Sequence, residues 1–454
     1  MRAPRITILA LAVGSLATWA GAGEPALGLE DAVRLALENN PAVHAAAARA
    51  QAAGERTKQA GGFRFPRIDL MEVYNYSNNP AETFALKLNQ GRFDFGDFVA
   101  TDPNDPEPLT TWITRIELEQ PVYTGGKLSA RIGQSRAMLG AEELNLAHVR
   151  EQVAFDTVTA YTNLAKAREF LGLLRTARET TAAHVELAEK YAAEGFIVDA
   201  EVLKAKVYLA HMDELVEQAE NGARLAEAAL NFQMGTNQTT HREIERIPPP
   251  PAVNGDVDLW IADALAERRD LGSARRKLEA GRLEEKVATS GYLPEVGVLA
   301  RYEWYDRTPF GNNNNSGSVM AVARINLLRG GSDKAARAAA RYQTASFESD
   351  IRRFEEGVRL QVQQAWQDLQ TARARHATAA AALEAAEESL RVREERFRQG
   401  LDKMIDLLDA ETQLREARVR ELVARYDIAL ATYRLYFSSG KSLIDTILPS
   451  EEIQ

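Results

Sequence analysis

The sequence contains no cysteine, so its fold is held without disulfides, and neither a thiolate metal site nor a lipid-modified cysteine is open to it. Beyond residue 22 it also lacks any apolar run of about 18 residues, which excludes transmembrane helices and leaves β-strands as the means of crossing a bilayer. Basic charge is in deficit: 55 Lys and Arg stand against 65 Asp and Glu, a net charge of −10, which argues against nucleic acid as a partner. The 6 histidines, at 44, 148, 184, 211, 241 and 376, show no metal-ligand spacing. There is no Walker motif, nucleophile elbow or HExxH. An enzyme is therefore not expected, and no metal or cofactor is implied.

What is present favours helix. Ala, Glu, Arg and Leu dominate a chain of 454 residues that is 45% apolar and 26% charged, long enough for a substantial core. Its first residues, Met1-Arg2-Ala3-Pro4-Arg5, precede an apolar run from Ile6 to Ala20 and the small residues Ala20-Gly21-Ala22. This pattern reads as a secretion signal over 1–22, cut after Ala22; the competing reading, a retained anchor, suffers from the shortness of the run.

The chain repeats itself. Ala36-Leu37 matches Ala264-Leu265 and Phe65-Pro66 matches Leu293-Pro294, at an offset of 228 residues. Gly125-Gly126 matches Gly330-Gly331, Gly195 matches Gly400, and Phe232 and Gly235 match Phe437 and Gly440, at an offset of 205. The register changes only between the Pro and the Gly-Gly pair, where the first copy carries 77–110, rich in Asp and Pro, and the second the shorter Asn-rich 311–318. Both read as exposed loops. Repeat 1 is assigned to 23–247, repeat 2 to 256–440, with a Pro-rich connector at 248–255 built on Pro248–Pro251 and a C-terminal tail at 441–454.

Each copy is expected to run helix, strand, loop, strand, very long helix, Gly break, second helix, with long helices over 127–234 and 333–438. Val358, Val362, Ala365, Leu369, Ala372, His376, Ala379, Leu383, Ala386, Leu390 and Phe397 trace a heptad seam; Val153, Thr157, Ala160, Leu164, Ala167, Leu171, Leu174, Val185, Ala188 and Ala192 trace a noisier one. The segments 129–194 and 334–399 would each be about 100 Å of helix. No single globular core has that diameter, so such Ala-rich helices must lie side by side in coiled-coil layers.

Four shorter runs, about 66–76, 111–122, 294–305 and 317–328, alternate with period two. Trp112, Thr114, Ile116 and Leu118 share one face against Ile113, Arg115 and Glu117; Val296, Val298, Ala300, Tyr302 and Trp304 share one against Leu299, Arg301 and Glu303. Ile68, Leu70, Tyr74 and Tyr76 give the weakest such face. Each run has the length of a tilted membrane strand, with Trp112, Ile116, Leu118, Val296, Val298, Tyr302 and Trp304 toward lipid, although any one strand taken alone reads rather as a strand of a soluble sandwich. Four strands cannot close a barrel, and open edges are not tolerated in lipid, so a membrane reading requires an oligomer: two copies give eight strands and a filled interior, three give twelve and room for a pore.

At this point the chain resembles the TolC-type outer-membrane factors, over nearly its whole length. The local motif is Arg396-Phe397-Arg398-Gln399-Gly400 followed by Ile405-Asp406-Leu407-Leu408-Asp409-Ala410-Glu411, similar to the family's periplasmic tip turn and next helix. The resemblance implies a mainly α homotrimer with an α-barrel in the periplasm and a twelve-stranded β-barrel in outer-membrane lipid. It implies a passive exit duct for an efflux or type I secretion system, working with a periplasmic adaptor and an inner-membrane RND or ABC transporter. By position it places acidic entrance rings at Asp406, Asp409 and Glu201, and tip turns that latch or dock the adaptor at Gly195, Gly400, Phe397, Asp402 and Lys403. Asp406 and Asp409, three apart, share a helix face, which without the resemblance reads as a solvated face rather than as a lumen-facing one. Relatives carry an Arg two residues after the tip Gly; here Asp402 stands there, followed by Lys403, which puts the usual closing contacts in doubt. The alternative function is a soluble periplasmic coiled-coil adaptor or scaffold, which leaves the four alternating runs unexplained.

Overall fold

A computed structural model describes residues 26–100, 102–399 and 401–448. The expected signal segment, the tip residue Gly400 and the end of the C-terminal tail, 449–454, lie outside the described residues. The first copy consists of α1 (Leu29–Asn39), α2 (Pro41–Gly62), β1 (Arg67–Ser77), α3 (Pro80–Asn89), α4 (Asp97–Ala100), β2 (Leu109–Thr124), α5 (Lys127–Ala193) and α6 (Asp199–Gln233). The second consists of α7 (Val257–Glu267), α8 (Arg269–Ser290), β3 (Glu295–Asp306), β4 (Asn314–Arg324), α9 (Ser332–Arg398) and α10 (Met404–Ser438), and a short α11 (Leu443–Ile447) follows. The two offsets seen in the sequence reappear in the first residues of matched elements: α1, α2 and β1 precede α7, α8 and β3 by 228, while β2, α5 and α6 precede β4, α9 and α10 by 205.

The helix expected at the head of each copy is a pair. In the first, Pro41 cannot continue α1, and the Asn40 side chain caps α2 by accepting from Ala42 N at 2.8 Å while donating to Gln233 O at 2.8 Å. In the second, Arg268 holds the equivalent break through Asp270 (2.6 Å), Gln361 (2.7 Å) and the Ser438 carbonyl (3.3 Å). The loop read over 77–110 also contains a helix, α3, whose start is written in Asn79-Pro80: the Asn79 side chain accepts from Glu82 N at 3.1 Å and Pro80 takes the first helical position.

α5 and α9 are each 67 residues and α6 and α10 each 35, so the long helices run about 100 Å. They form one layer. In its upper part α5 is flanked by α2 and α8, with Arg131–Glu284 at 2.7 Å, Thr57 Oγ1 to Ser135 O at 3.1 Å, and α8 joined on to α9 through Arg275–Glu355 at 2.8 Å. In its lower part α6 and α10 replace α2 and α8, with Arg168–Glu227 at 2.7 Å on one side of α5 and Arg425–Glu169 at 2.6 Å on the other. On the second-copy seam Val358, Val362, Ala365, Leu369, Ala372, Ala379 and Phe397 are buried, each large apolar one stabilising by roughly 1.5–3 kcal/mol. His376, the polar insertion, is half-buried 3.4 Å from Glu421.

The largest core lies at mid-length, where Leu29, Val33, Val153, Val158, Leu164, Leu230 and Met234 meet Leu443 and Ile447 of α11. The region assigned as a C-terminal tail is thus docked through 448. Glu151, 6% exposed, fixes it by bonding Arg269 (2.8 Å), Ser442 Oγ (2.8 Å) and Leu443 N (2.9 Å). Chain ends of repeat 1 meet in a parallel bridge, Leu27 with Ile244, which Tyr161 OH clasps at 2.8 Å and 2.9 Å. The connector Pro248–Pro251 leads into Ala252, whose carbonyl accepts from Tyr436 OH at 2.9 Å.

The strands form one antiparallel sheet in the order β1-β2-β3-β4. β4 ends at Arg324, not near 328, because Arg324 already pairs with Glu295, the first residue of β3. Ile325, Leu327 and Leu328 beyond it have no partner strand and stay exposed.

Candidate functional site: the membrane sheet and the helical tip

The pairing register assigns every strand residue to a face. Leu70, Ile116, Tyr302 and Gly317 lie in one row, and Ile68, Leu118, Ala300 and Val319 in the next. Trp112, Val296, Val298 and Trp304 belong to this same face. Ile68, Leu70, Tyr74, Tyr76 and Val319 on it are more than half exposed, and Tyr74–Trp112 and Tyr302–Trp304 pack with ring centroids 4.9 Å and 4.7 Å apart. The other face carries cross-strand ion pairs: Arg115 with Glu303, and Arg301 with Glu117 at 2.9 Å. Each joins residues directly opposite in the β2–β3 ladder, where opposite charges reinforce pairing. One face is mainly apolar and suits hydrocarbon, its one mid-strand carboxylate, Glu72 of β1, accepting from Thr114 Oγ1 at 2.6 Å, while the other suits water; both sheet edges, β1 and β4, are open. Among the described residues no helix is long and apolar enough to cross a membrane.

At the opposite end of the molecule, α5 turns into α6 and α9 into α10. Ala188, Val202, Phe397, Met404, Leu407 and Leu408 make a tip core. Phe397, named as a latch candidate, is 5% exposed inside it, its ring 6.1 Å from Tyr191. Asp402 is fully engaged within its own hairpin, by Arg393 Nη1 at 3.0 Å and Arg396 Nε at 2.9 Å; these bonds hold its carboxyl below the usual carboxylate range. Lys403 is exposed, and its backbone N–H donates to Asp406 at 3.2 Å, so Asp406 caps the start of α10. Asp409, three residues on, is exposed. Glu201, at the place of Asp406 in the first copy, pairs with Lys204 at 3.0 Å, and Lys204 stands where Asp409 does. Gly195 turns the first tip with φ 81°.

Sequence reasoning missed two features here. Phe196, Val198, Leu203, Val207 and Leu401 leave an apolar surface around the tips, each more than 60% exposed; their clustering beside Gly195 and Gly400 was the available signal. His184 of α5 also forms a mostly buried ion pair with Glu411 of α10. The hydrogen bond to Glu411 raises the His184 pKa against the opposing effect of burial, with Glu394 adding to the rise and Arg398 opposing it.

The comparison with known proteins matches this geometry. The family model described as outer membrane efflux protein covers residues 32–236 and 260–441, one stretch for each repeat. The chain belongs to the outer membrane efflux protein family. As a member it is an outer-membrane channel protein, with a helical tunnel extending into the periplasm. It is similar to the alkaline protease secretion protein AprF of Pseudomonas aeruginosa, 22% identical over 91% of this chain and 85% of that one. It is also similar to the protein CyaE of Bordetella pertussis, 25% identical over 94% and 87%. In fold it matches the outer-membrane channel CmeC of Campylobacter jejuni, with a TM-score of 0.79 at 15% identity over 97% of this chain and 94% of that one.

Proposed function

We propose that three copies of this chain close into a twelve-stranded barrel continued by a helical tunnel, forming the passive exit duct of an efflux or type I secretion system. The observation that carries this is the sheet, which has one apolar face, one ion-paired face and two open edges at the end of a helical layer about 100 Å long. Four strands cannot close, whereas twelve enclose a wet lumen once charged faces turn inward. The helical layer has matching open sides: α9 exposes Ala335, Ala336, Ala338 and Ala339 along one, and small residues let a neighbouring helix approach closely.

In this reading the repeats are 23–247 and 256–440, joined by 248–255, and Trp112, Ile116, Leu118, Val296, Val298, Tyr302 and Trp304 face lipid. Asp406 and Asp409 form acidic rings at the periplasmic entrance; Glu201, paired with Lys204, contributes less. A periplasmic adaptor docks on the apolar tip surface near Gly195 and Gly400, and an inner-membrane RND or ABC transporter supplies the drive. No step of catalysis is assigned to the chain.

Fractionation and electrophoresis test the assembly. Detergent-dependent extraction as heat-resistant trimers that form channels in planar bilayers is expected. Release as a soluble monomer or dimer would sink the duct and favour a periplasmic scaffold.

A further inference from the structure

The first-copy connection between β1 and β2 contains α3, which crosses all four strands at the far end of the sheet from the helices. Near its start, Asn75 and Ser77 of β1 each donate to Glu82 at 2.7 Å. At mid-length Leu86 packs on Ile113 of β2 and Tyr305 of β3, all three nearly buried. At its end Gln90, 0% exposed, donates to Thr111 Oγ1 at 2.7 Å, while Asn314 of β4 donates to Asn89 O at 2.9 Å. By register, Asn75, Ser77, Thr111, Ile113, Tyr305 and Asn314 share the face of Arg115, Glu117, Arg301 and Glu303. The helix therefore lies on the ion-paired face, opposite the apolar one. Ala81, Ala85 and Leu88, spaced four and three apart, point away from the sheet, and Leu88 is 44% exposed.

We propose that α3 is a fixed constriction at the outer mouth of the duct, which limits the size and hydration of what leaves through it. The inference rests on the charged face being the lumen. Each chain of a closed barrel then projects Ala81, Ala85 and Leu88 inward, and an apolar ring in a water-filled pore opposes ion flow by disfavouring water. The buried Gln90 and Leu86 anchors make it part of the wall. The second copy, with only 307–313 between β3 and β4, contributes no such helix.

Because the chain has no cysteine, Leu88→Cys creates a sole thiol in a full-length channel. Wild-type protein is first reconstituted in planar bilayers; failure of any channel to form there would overturn the duct reading itself. With channels present, a bulky methanethiosulfonate added to Leu88→Cys is expected to reduce single-channel current in successive steps, one per subunit. The same reagent on Val319→Cys, on the apolar face, should leave current unchanged. A labelled Leu88→Cys channel with unchanged current, or equal loss from both variants, would overturn the constriction. As a second measurement, replacing 78–108 by the sequence of 307–313 should raise conductance severalfold; unchanged conductance would count against α3 as the narrow point.

Discussion

Gly235 and Gly440 close α6 and α10 at equivalent places in the two copies, with φ of 66° and 77°. Each backs onto the break between a pair of upper helices, so an added Cβ would come 2.5 Å from Asn39 O in one copy and 2.9 Å from Arg268 N in the other. The tip turns at the other end of the same hairpins share length but not chemistry. The first is lined by exposed Phe196 and Val198 with Tyr191 at 6.1 Å from Phe196; the second is braced by Asp402 between Arg393 and Arg396. Where backbone meets backbone, both copies need the same residue. Where a turn ends in water, side chains are free to take different roles, and here the first turn is lined by apolar side chains while the second, beside its exposed Leu401, is braced by an ion-pair network.

The largest effect should come from breaking the shared part. Gly235→Ala and Gly440→Ala are each expected to cost on the order of 2 kcal/mol or more, through left-handed backbone and collision together, and to lower the denaturant midpoint by similar amounts. A harmless change in one copy would mean the two joints are not equivalent. Next, Asp402→Asn should loosen only the second tip, read as faster amide exchange over 393–410 with 188–205 unaffected. Uniform loosening of both would deny that the second turn is separately braced.

The link between hairpins should respond to pH. His184 has a raised pKa in the folded tip, so its contribution is fully present below the ordinary histidine value and is lost as pH rises through the raised one. With the intrinsic base-catalysed rise of exchange divided out, protection of the amides near Glu411 is therefore expected to fall as pH rises through that raised value, and His184→Gln should flatten that dependence. The smallest effect concerns the entrance. Asp406→Asn with Asp409→Asn should weaken divalent-cation block of bilayer conductance, and Glu201→Gln should do so less, since Lys204 already offsets its charge. An equal effect from Glu201→Gln would erase the distinction between copies.

Much of this was legible because it is periodic. The seam from Val358 to Phe397 and the alternation of Val296 to Trp304 carry their geometry in their spacing, and the repeat locates the turns. What was hidden depends on partners. Ile325 and Leu327 continue the alternation of β4, but strand length is set by where β3 begins. The break at Arg268 has neither Pro nor Gly to announce it and exists because distant Gln361 and Ser438 receive its guanidinium. The His184–Glu411 pair joins residues on separate hairpins, which no local pattern records. Phe397, placed by the sequence both on the seam and among the candidate latch or docking residues, is buried as its seam position leads one to expect.

The identical lengths of α5 and α9, and of α6 and α10, act as a ruler. One residue inserted in a single long helix would lower that tip by about 1.5 Å and swing it by about 100°, tilting it out of the plane of its partner. A level rim thus couples the two copies through time: viable changes in hairpin length must occur in both, so the repeat can drift in composition while its dimensions stay locked.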